Sequence, residues 1–295
     1  MFIRRLPKFA YHTPASLPEA LDLLTSHGAG AKLLAGGTDL LLAMKKRTVT
    51  PSHVINLKAV PGLSGIRPDK DGISIGSLTT IAEIERSALI RETYTPLWDA
   101  ARVMASPQVR TLATLGGNLV SAVPSADTAP PLMVLAAEAH IIGPAGPRTC
   151  PVEALFAGPS ACSLGPADIL THVFIPKPRG KGAYLKLMRR AALDLALVGV
   201  AAFLCLDKSG ACIEARIALG AVAPTPVRAP GAEEMLRAKV ITEELAAEAG
   251  KVSGGLCWPI SDIRASLEYR CAMVEVLTKR ALLQAVARSS QGGPL

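Results

Sequence analysis

The apolar positions change period along the chain, and each change marks an element. An extended opening gives way to helical spacing over Leu17–Ser26, with Ser16 as N-cap and Glu19 three residues on. A short apolar strand over Lys32–Ala35 then runs into Gly36-Gly37-Thr38-Asp39, a helix over Leu40–Lys46 and a second strand over Val54–Leu57, which predicts a compact βαβ unit. Ile73–Ile75 reads as a strand, and Thr80-Ile81-Ala82-Glu83 is a capping-box signature that opens a helix to Ser87. Pro96–Ala105 reads as a further helix. Arg110–Ala126 mixes glycine, serine and proline with short apolar patches and predicts an ordered loop, and loops of that length inside a globular region tend to be functional. Asp127 and Thr128 precede a helix that begins with Pro130 and Pro131 and ends near Ala137, followed by strands at His140–Ile142 and Ile169–Ile175.

Proline, glycine and charge coincide in Pro176–Gly180, the best candidate for a domain boundary. Beyond it, Gly182–Arg189, Val198–Leu206 and Ala211–Ala221 read as strands, the last two joined by a turn at Asp207–Gly210. Helices are expected at Ala232–Ala238, Glu243–Val252 and Leu267–Ala287, with a frayed tail from Arg288 to Leu295. The organisation expected is one domain over residues 1–177, a second over 178–288 and a tail over 289–295.

Composition narrows this picture by exclusion. A chain of 295 residues that is 49% hydrophobic carries enough apolar material for about two domains. The mean hydropathy is positive, yet the longest apolar run, Leu195–Leu206, is too short to span a bilayer. The opening Met1–Pro7 lacks the apolar segment of a secretory signal, so a cytoplasmic location is expected. The net charge of +8 is spread along the chain and only 4% of residues are aromatic, which argues against a nucleic-acid partner. Six cysteines form no Cys-x-x-Cys pair and read as small buried apolar residues. The five histidines, His12, His27, His53, His140 and His172, show no metal-ligand spacing, and no Ser-His-Asp or paired-carboxylate set is visible. No catalytic residue and no metal ligand is therefore assigned.

Two segments carry candidate chemistry. In Leu33–Leu40, paired glycines between a strand and a helix let the backbone approach a ligand, and the free amides of a helix N-terminus suit a phosphate. The dinucleotide fingerprint is incomplete there, because Gly28-x-Gly30 precedes the strand, and no P-loop occurs. In Thr111–Asn118, continuing through Ser121, Pro124 and Asp127, a second diglycine is surrounded by hydroxyl and amide groups. Two such loops suggest the two sides of one elongated phosphate ligand, although each could be a tight turn alone.

These residues resemble the flavin subunits of the xanthine dehydrogenase and carbon monoxide dehydrogenase group. The resemblance rests on Phe9-x-Tyr11-x-x-Pro14, Leu34–Leu41, Ile55-Asn56-Leu57, Ile75–Thr80, Arg110–Asn118 and Pro124–Asp127, in order, and extends from about residue 2 to 287. It implies an α+β fold with a vanillyl-alcohol-oxidase (PCMH)-type FAD-binding domain of two subdomains, followed by a C-terminal domain of a small antiparallel sheet with helices. It further implies that Ala35, Gly36, Gly37, Thr38, Asp39 and Leu40 bind the FAD pyrophosphate, and that Ala113, Thr114, Gly116, Gly117 and Asn118 hold its other side. Asp127 would bind ribityl or ribose hydroxyls, Leu170 would touch the cofactor, and Lys186 would place a cation near the flavin ring. Met104 stands where some relatives carry an aromatic residue. Asp127–Cys150 is too short and too poor in cysteine for the cluster-bearing loop of one branch, so FAD alone is expected. Molybdopterin and [2Fe-2S] clusters would belong to a large and a small partner subunit, in a dimer of heterotrimers, with electrons passing through FAD to an external acceptor. A stand-alone flavoenzyme would need a substrate pocket with its own acid–base group, and none is visible.

Overall fold

Alternating strands and helices build the first layer. In the computed structural model, which describes residues 5–190 and 193–291, β1 (Ala10–His12), α1 (Leu17–His27), β2 (Ala31–Leu34), α2 (Leu40–Lys46) and β3 (His53–Asn56) form a three-stranded sheet in the order β1-β3-β2. Both pairings are parallel. α1 starts where its cap dictates: the Ser16 hydroxyl accepts from the Glu19 amide and the Glu19 carboxylate accepts from the Ala15 amide.

The second layer is an antiparallel sheet with a helical cover. Its elements are β4 (Ile66–Asp69), β5 (Gly72–Gly76), α3 (Ile81–Arg86), α4 (Ala88–Thr93), α5 (Thr95–Val103), α6 (Pro107–Arg110), α7 (Leu115–Val120), α8 (Ala129–Val134), β6 (Glu138–Gly143), β7 (Gly146–Pro151), β8 (Phe156–Gly158), β9 (Ala161–Cys162) and β10 (Ile169–Pro176). The sheet runs β4-β5-β10-β6-β7, while β8 and β9 pair separately. The Thr80–Glu83 capping box forms with both of its hydrogen bonds and fixes the start of α3.

The third layer contains β11 (Lys181–Leu187), β12 (Val198–Leu206), β13 (Cys212–Gly220), β14 (Val227–Arg228), α9 (Pro230–Leu236), α10 (Glu243–Gly254) and α11 (Leu267–Gln291), with the strands antiparallel in that order. β12 explains the longest apolar run in the chain. Its alternate side chains Val198, Val200, Ala202 and Leu204 enter the core beneath α9–α11, whereas Ala201, Phe203 and Cys205 enter the core of the second layer. A strand buried on both faces has no polar alternation to display.

The structure corrects several sequence expectations. Arg110–Ala126 is not one loop: Pro107–Arg110 ends a helical turn, and the second diglycine lies inside α7. That helix was hidden because glycines lower its propensity, while Thr114 caps it by accepting from the Gly117 amide. α8 stops at Val134 instead of Ala137, and Ala136 adopts a positive φ of 53°. The expected fraying from Arg288 is absent up to Gln291. α11 continues because Arg288 bonds both Asp99 oxygens (2.6 and 2.9 Å) and the Gly182 carbonyl, latching the helix to α5 and β11. The rest of the expected tail, residues 292–295, lies outside the described residues. Among those described, no helix is long and apolar enough to cross a membrane, and all six cysteines are free thiols.

Candidate functional site

The two glycine segments, far apart in sequence, meet in space. Gly36 lies so close to the second segment that a Cβ there would run into the Leu112 carbonyl and approach Ala113 Cα to 3.1 Å. The chain then turns through Gly37 at φ +78°, a conformation side chains rarely adopt, before entering α2. The Ser121 hydroxyl donates to Asp39 Oδ2 at 3.0 Å, a second tie between the segments.

The amides of the two segments have different fates. At α2 the first helical bonds are Leu41 N–H to the Gly37 carbonyl and Ala43 N–H to the Asp39 carbonyl, and Asp39 makes no side-chain cap. The N–H groups of a helix's first turn have no intrahelical acceptor, so this end offers donors with a partial positive charge to an anion. At α7 the donors are taken. Leu115 N–H bonds Thr79, Gly116 N–H bonds Ser77, Gly117 N–H bonds the Thr114 hydroxyl and Asn118 N–H bonds the Thr114 carbonyl. The Asn118 side-chain carbonyl accepts from the Thr128 amide and hydroxyl. The first segment therefore has free backbone donors, whereas those of the second are spent within the fold. Gly36–Thr38, Gly117 and Asn118 are half-buried, Leu40 is half-buried at the helix start, and Ala113, Thr114 and Gly116 are buried.

Next to Thr128, the partner of Asn118, lies a buried polar set. Asp127, 5% exposed, accepts from the Tyr184 hydroxyl at 2.9 Å and from Lys186 Nζ at 2.8 Å, and Nζ also reaches the Val103 carbonyl. Burial pushes the Asp127 carboxyl up, against the opposing pull of Lys186 and Tyr184. Burial, then the Asp127 charge, holds the Tyr184 hydroxyl well above its ordinary value. With 1% of its side chain exposed, Lys186 is an ion-pair partner and not an isolated cation. Asp127 has a protein donor on each oxygen, so its first role in this chain is to hold Lys186 and Tyr184.

Met104 and Leu170 are buried in the second-layer core, Leu170 on β10 opposite Ile141. Met104 is fixed by a residue that sequence reasoning gave no role. Arg110, 8% exposed, bonds the Met104 carbonyl and forms a two-pronged pair with Glu85 at 2.8 and 3.1 Å. Only its place within the recurrent Arg110–Asn118 motif pointed to it. The Ser77 hydroxyl, behind Gly116, is buried without a partner.

The fold thus brings an uncapped helix start and a second glycine segment together, in a chain that also buries an Asp–Lys–Tyr set. Residues 7–178 match the family described as the FAD binding domain in molybdopterin dehydrogenase, and residues 183–285 match the CO dehydrogenase flavoprotein C-terminal domain. The chain is 37% identical to the carbon monoxide dehydrogenase medium chain of Hydrogenophaga pseudoflava (96% of this chain, 98% of that one). It is 35% identical to the xanthine dehydrogenase FAD-binding subunit of Escherichia coli O157:H7 (97% and 98%). Among solved structures, the carbon monoxide dehydrogenase of Hydrogenophaga pseudoflava lacking the Mo-pyranopterin moiety superposes with a TM-score of 0.93 at 35% identity (97% and 99% covered). Quinoline 2-oxidoreductase from Pseudomonas putida 86 superposes with 0.91 at 31% identity (99% and 100%). The chain belongs to the family of FAD-binding subunits of the molybdenum hydroxylases, and its fold is the α+β fold with a PCMH-type FAD-binding domain.

Proposed function

We propose that this chain binds one FAD non-covalently and serves as the electron-transfer subunit of a molybdenum hydroxylase. It would receive electrons from the [2Fe-2S] clusters of a small subunit, beside a large molybdopterin-binding subunit, in a dimer of heterotrimers located in the cytoplasm. The observation that carries this reading is the uncapped start of α2, tied to the second glycine segment where Gly36 packs on Leu112 and Ala113 and where Ser121 bonds Asp39. The residues fit the cofactor: the amides of Gly36–Leu40 match a pyrophosphate, with Ala35 and Thr38 at the turn, while Ala113, Thr114, Gly116, Gly117 and Asn118 form the opposite side. Asp127, Leu170, Met104 and Lys186 would complete the site, with Lys186 and Tyr184 positioned by Asp127. When bound, FAD supplies the capacity to take up electrons and pass them on.

Two further features support the wider assignment. Relatives are named as medium chains or subunits, which makes them parts of multi-subunit enzymes. The segment from Leu256 to Tyr269 exposes Trp258 (80%), Ile260 (69%) and Ile263 (96%), an apolar surface of the kind that a partner covers. Free thiols suit a reducing compartment.

Acid release of the flavin from purified protein, followed by chromatography, should give FAD in one equivalent. FMN, or a folded protein with no flavin, would refute the proposal. Gly117→Val provides the local test. A Cβ at Gly117 meets only Thr114 Oγ1 at 2.9 Å and otherwise points into open space, so the branched side chain would fill the volume assigned to the phosphates. The variant should lose its FAD while keeping its far-UV circular dichroism, and stoichiometric FAD in it would remove Gly117 from the site.

A further inference from the structure

Away from the glycine segments, the fold collects three imidazoles that are dispersed in the sequence. His12 ends β1, His27 ends α1 and His53 begins β3. The parallel register sets Ala10 opposite His53 and His12 opposite Ile55, which places the first and third rings on the same face of the sheet. The His27 and His53 rings stack with centroids 3.6 Å apart and planes 8° from parallel, and the His12 ring lies 5.2 and 5.3 Å from them. His12 Nε2 and His53 Nδ1 are 3.0 Å apart, and one nitrogen from each ring lies within 4.8 Å of the other two. All three rings are half-buried, so the site is reachable from solvent.

We propose that His12, His27 and His53 bind a divalent transition-metal ion of the zinc class, clamping β1, α1 and β3 together. Three imidazole nitrogens without a carboxylate favour Zn²⁺, Cu²⁺ or Ni²⁺ over Mg²⁺ or Ca²⁺, which prefer oxygen. Tetrahedral Zn²⁺ with Zn–N bonds of about 2.0–2.1 Å places its donors roughly 3.4 Å apart. The His12–His53 pair, at 3.0 Å, lies within about 0.4 Å of that spacing, and His27, the last residue of its helix, would have to leave its stack on His53 to turn a nitrogen toward the ion. The ion would replace the hydrogen bond between His12 and His53, which requires a tautomer shift in one ring and no net transfer of protons. Neutral imidazole is the ligating form. Three protein ligands leave a fourth position for water, so the ion would sit at the surface of the first layer and apart from the glycine cradle.

The test uses the tag-free, FAD-loaded full chain titrated calorimetrically with Zn²⁺, with Mg²⁺ as the comparison and Co²⁺ as a spectroscopic probe. One equivalent of Zn²⁺ should bind with a dissociation constant in the micromolar range or below, Mg²⁺ should not compete, and Co²⁺ should show the visible absorption of a tetrahedral nitrogen site. His27→Gln should weaken Zn²⁺ binding by about tenfold or more, since even the loss of a ligand's outer partner costs that much, with flavin content and far-UV signal unchanged. His172→Gln, on β10, should bind as the parent does. Absence of a one-equivalent Zn²⁺ site in the parent, or equal affinity in His27→Gln, overturns the proposal. If His27→Gln fails to fold, His12→Gln on the three-residue strand β1 decides by the same criteria.

Discussion

Asp127→Ala is expected to lower the free energy of unfolding by about 3–5 kcal/mol, because it leaves the Lys186 ammonium buried without its counter-charge. Both partners are almost wholly enclosed, with side chains 7% and 1% exposed, so water cannot take over the lost contact. The Tyr184 hydroxyl loses its acceptor in the same step. Asp127→Asn should cost less, since its amide oxygen still accepts from one donor. The decisive comparison is the double variant Asp127→Ala/Lys186→Met, which removes both charges. Its destabilisation should fall short of the sum of the two single variants by roughly 0.5–3 kcal/mol, as coupled neighbours do. Urea unfolding of the four proteins checks this. Additive effects would mean that the pair does not interact in the folded protein.

The second large effect is expected at Gly36. Alanine there directs its Cβ at the backbone carbonyl of Leu112, which cannot swing aside as a flexible side chain can. The two glycine segments must then separate, with a stability loss of about 1–3 kcal/mol typical of overpacked sites. Because the Asp39–Ser121 hydrogen bond spans the same gap, the cradle should open and the purified protein should contain little FAD. Gly231→Ala is the matched control. Its Cβ would meet only Val252 Cγ1, at an ordinary 3.5 Å, and its effect should stay within about 0.5 kcal/mol. Flavin absorbance per chain and thermal unfolding of both variants provide the measurement, and unchanged values in Gly36→Ala would show that the segments do not meet as described.

What could be read from the sequence depended on how local the cause was. The α2 bounds and the Thr80 capping box follow from contacts between residues a few positions apart, and the residues themselves announce them. The glycine segments were visible as candidates for the same reason. The division of labour between them was not, because the donors of α7 are taken up by Ser77 and Thr79, which approach from another part of the chain. Lys186 read as a cation beside the flavin, since no rule of spacing pairs it with Asp127 across 59 residues. The three-histidine cluster was missed for a similar cause: a parallel crossover brings His12 and His53 together over 41 residues. β4 and β7 were overlooked because, as exposed edge strands containing proline, they lack the alternating apolar pattern.

The double burial of β12 bears on how the chain folds and how it can be cut. The matched families divide the sequence near residue 180, and a fragment ending there would look like a free-standing flavin module. Its core would nevertheless have lost Ala201, Phe203 and Cys205, and the apolar surface they cover would face water. The reverse cut would strip the other side of the same strand. Because the two halves share one strand as common property, heat should melt them in a single transition.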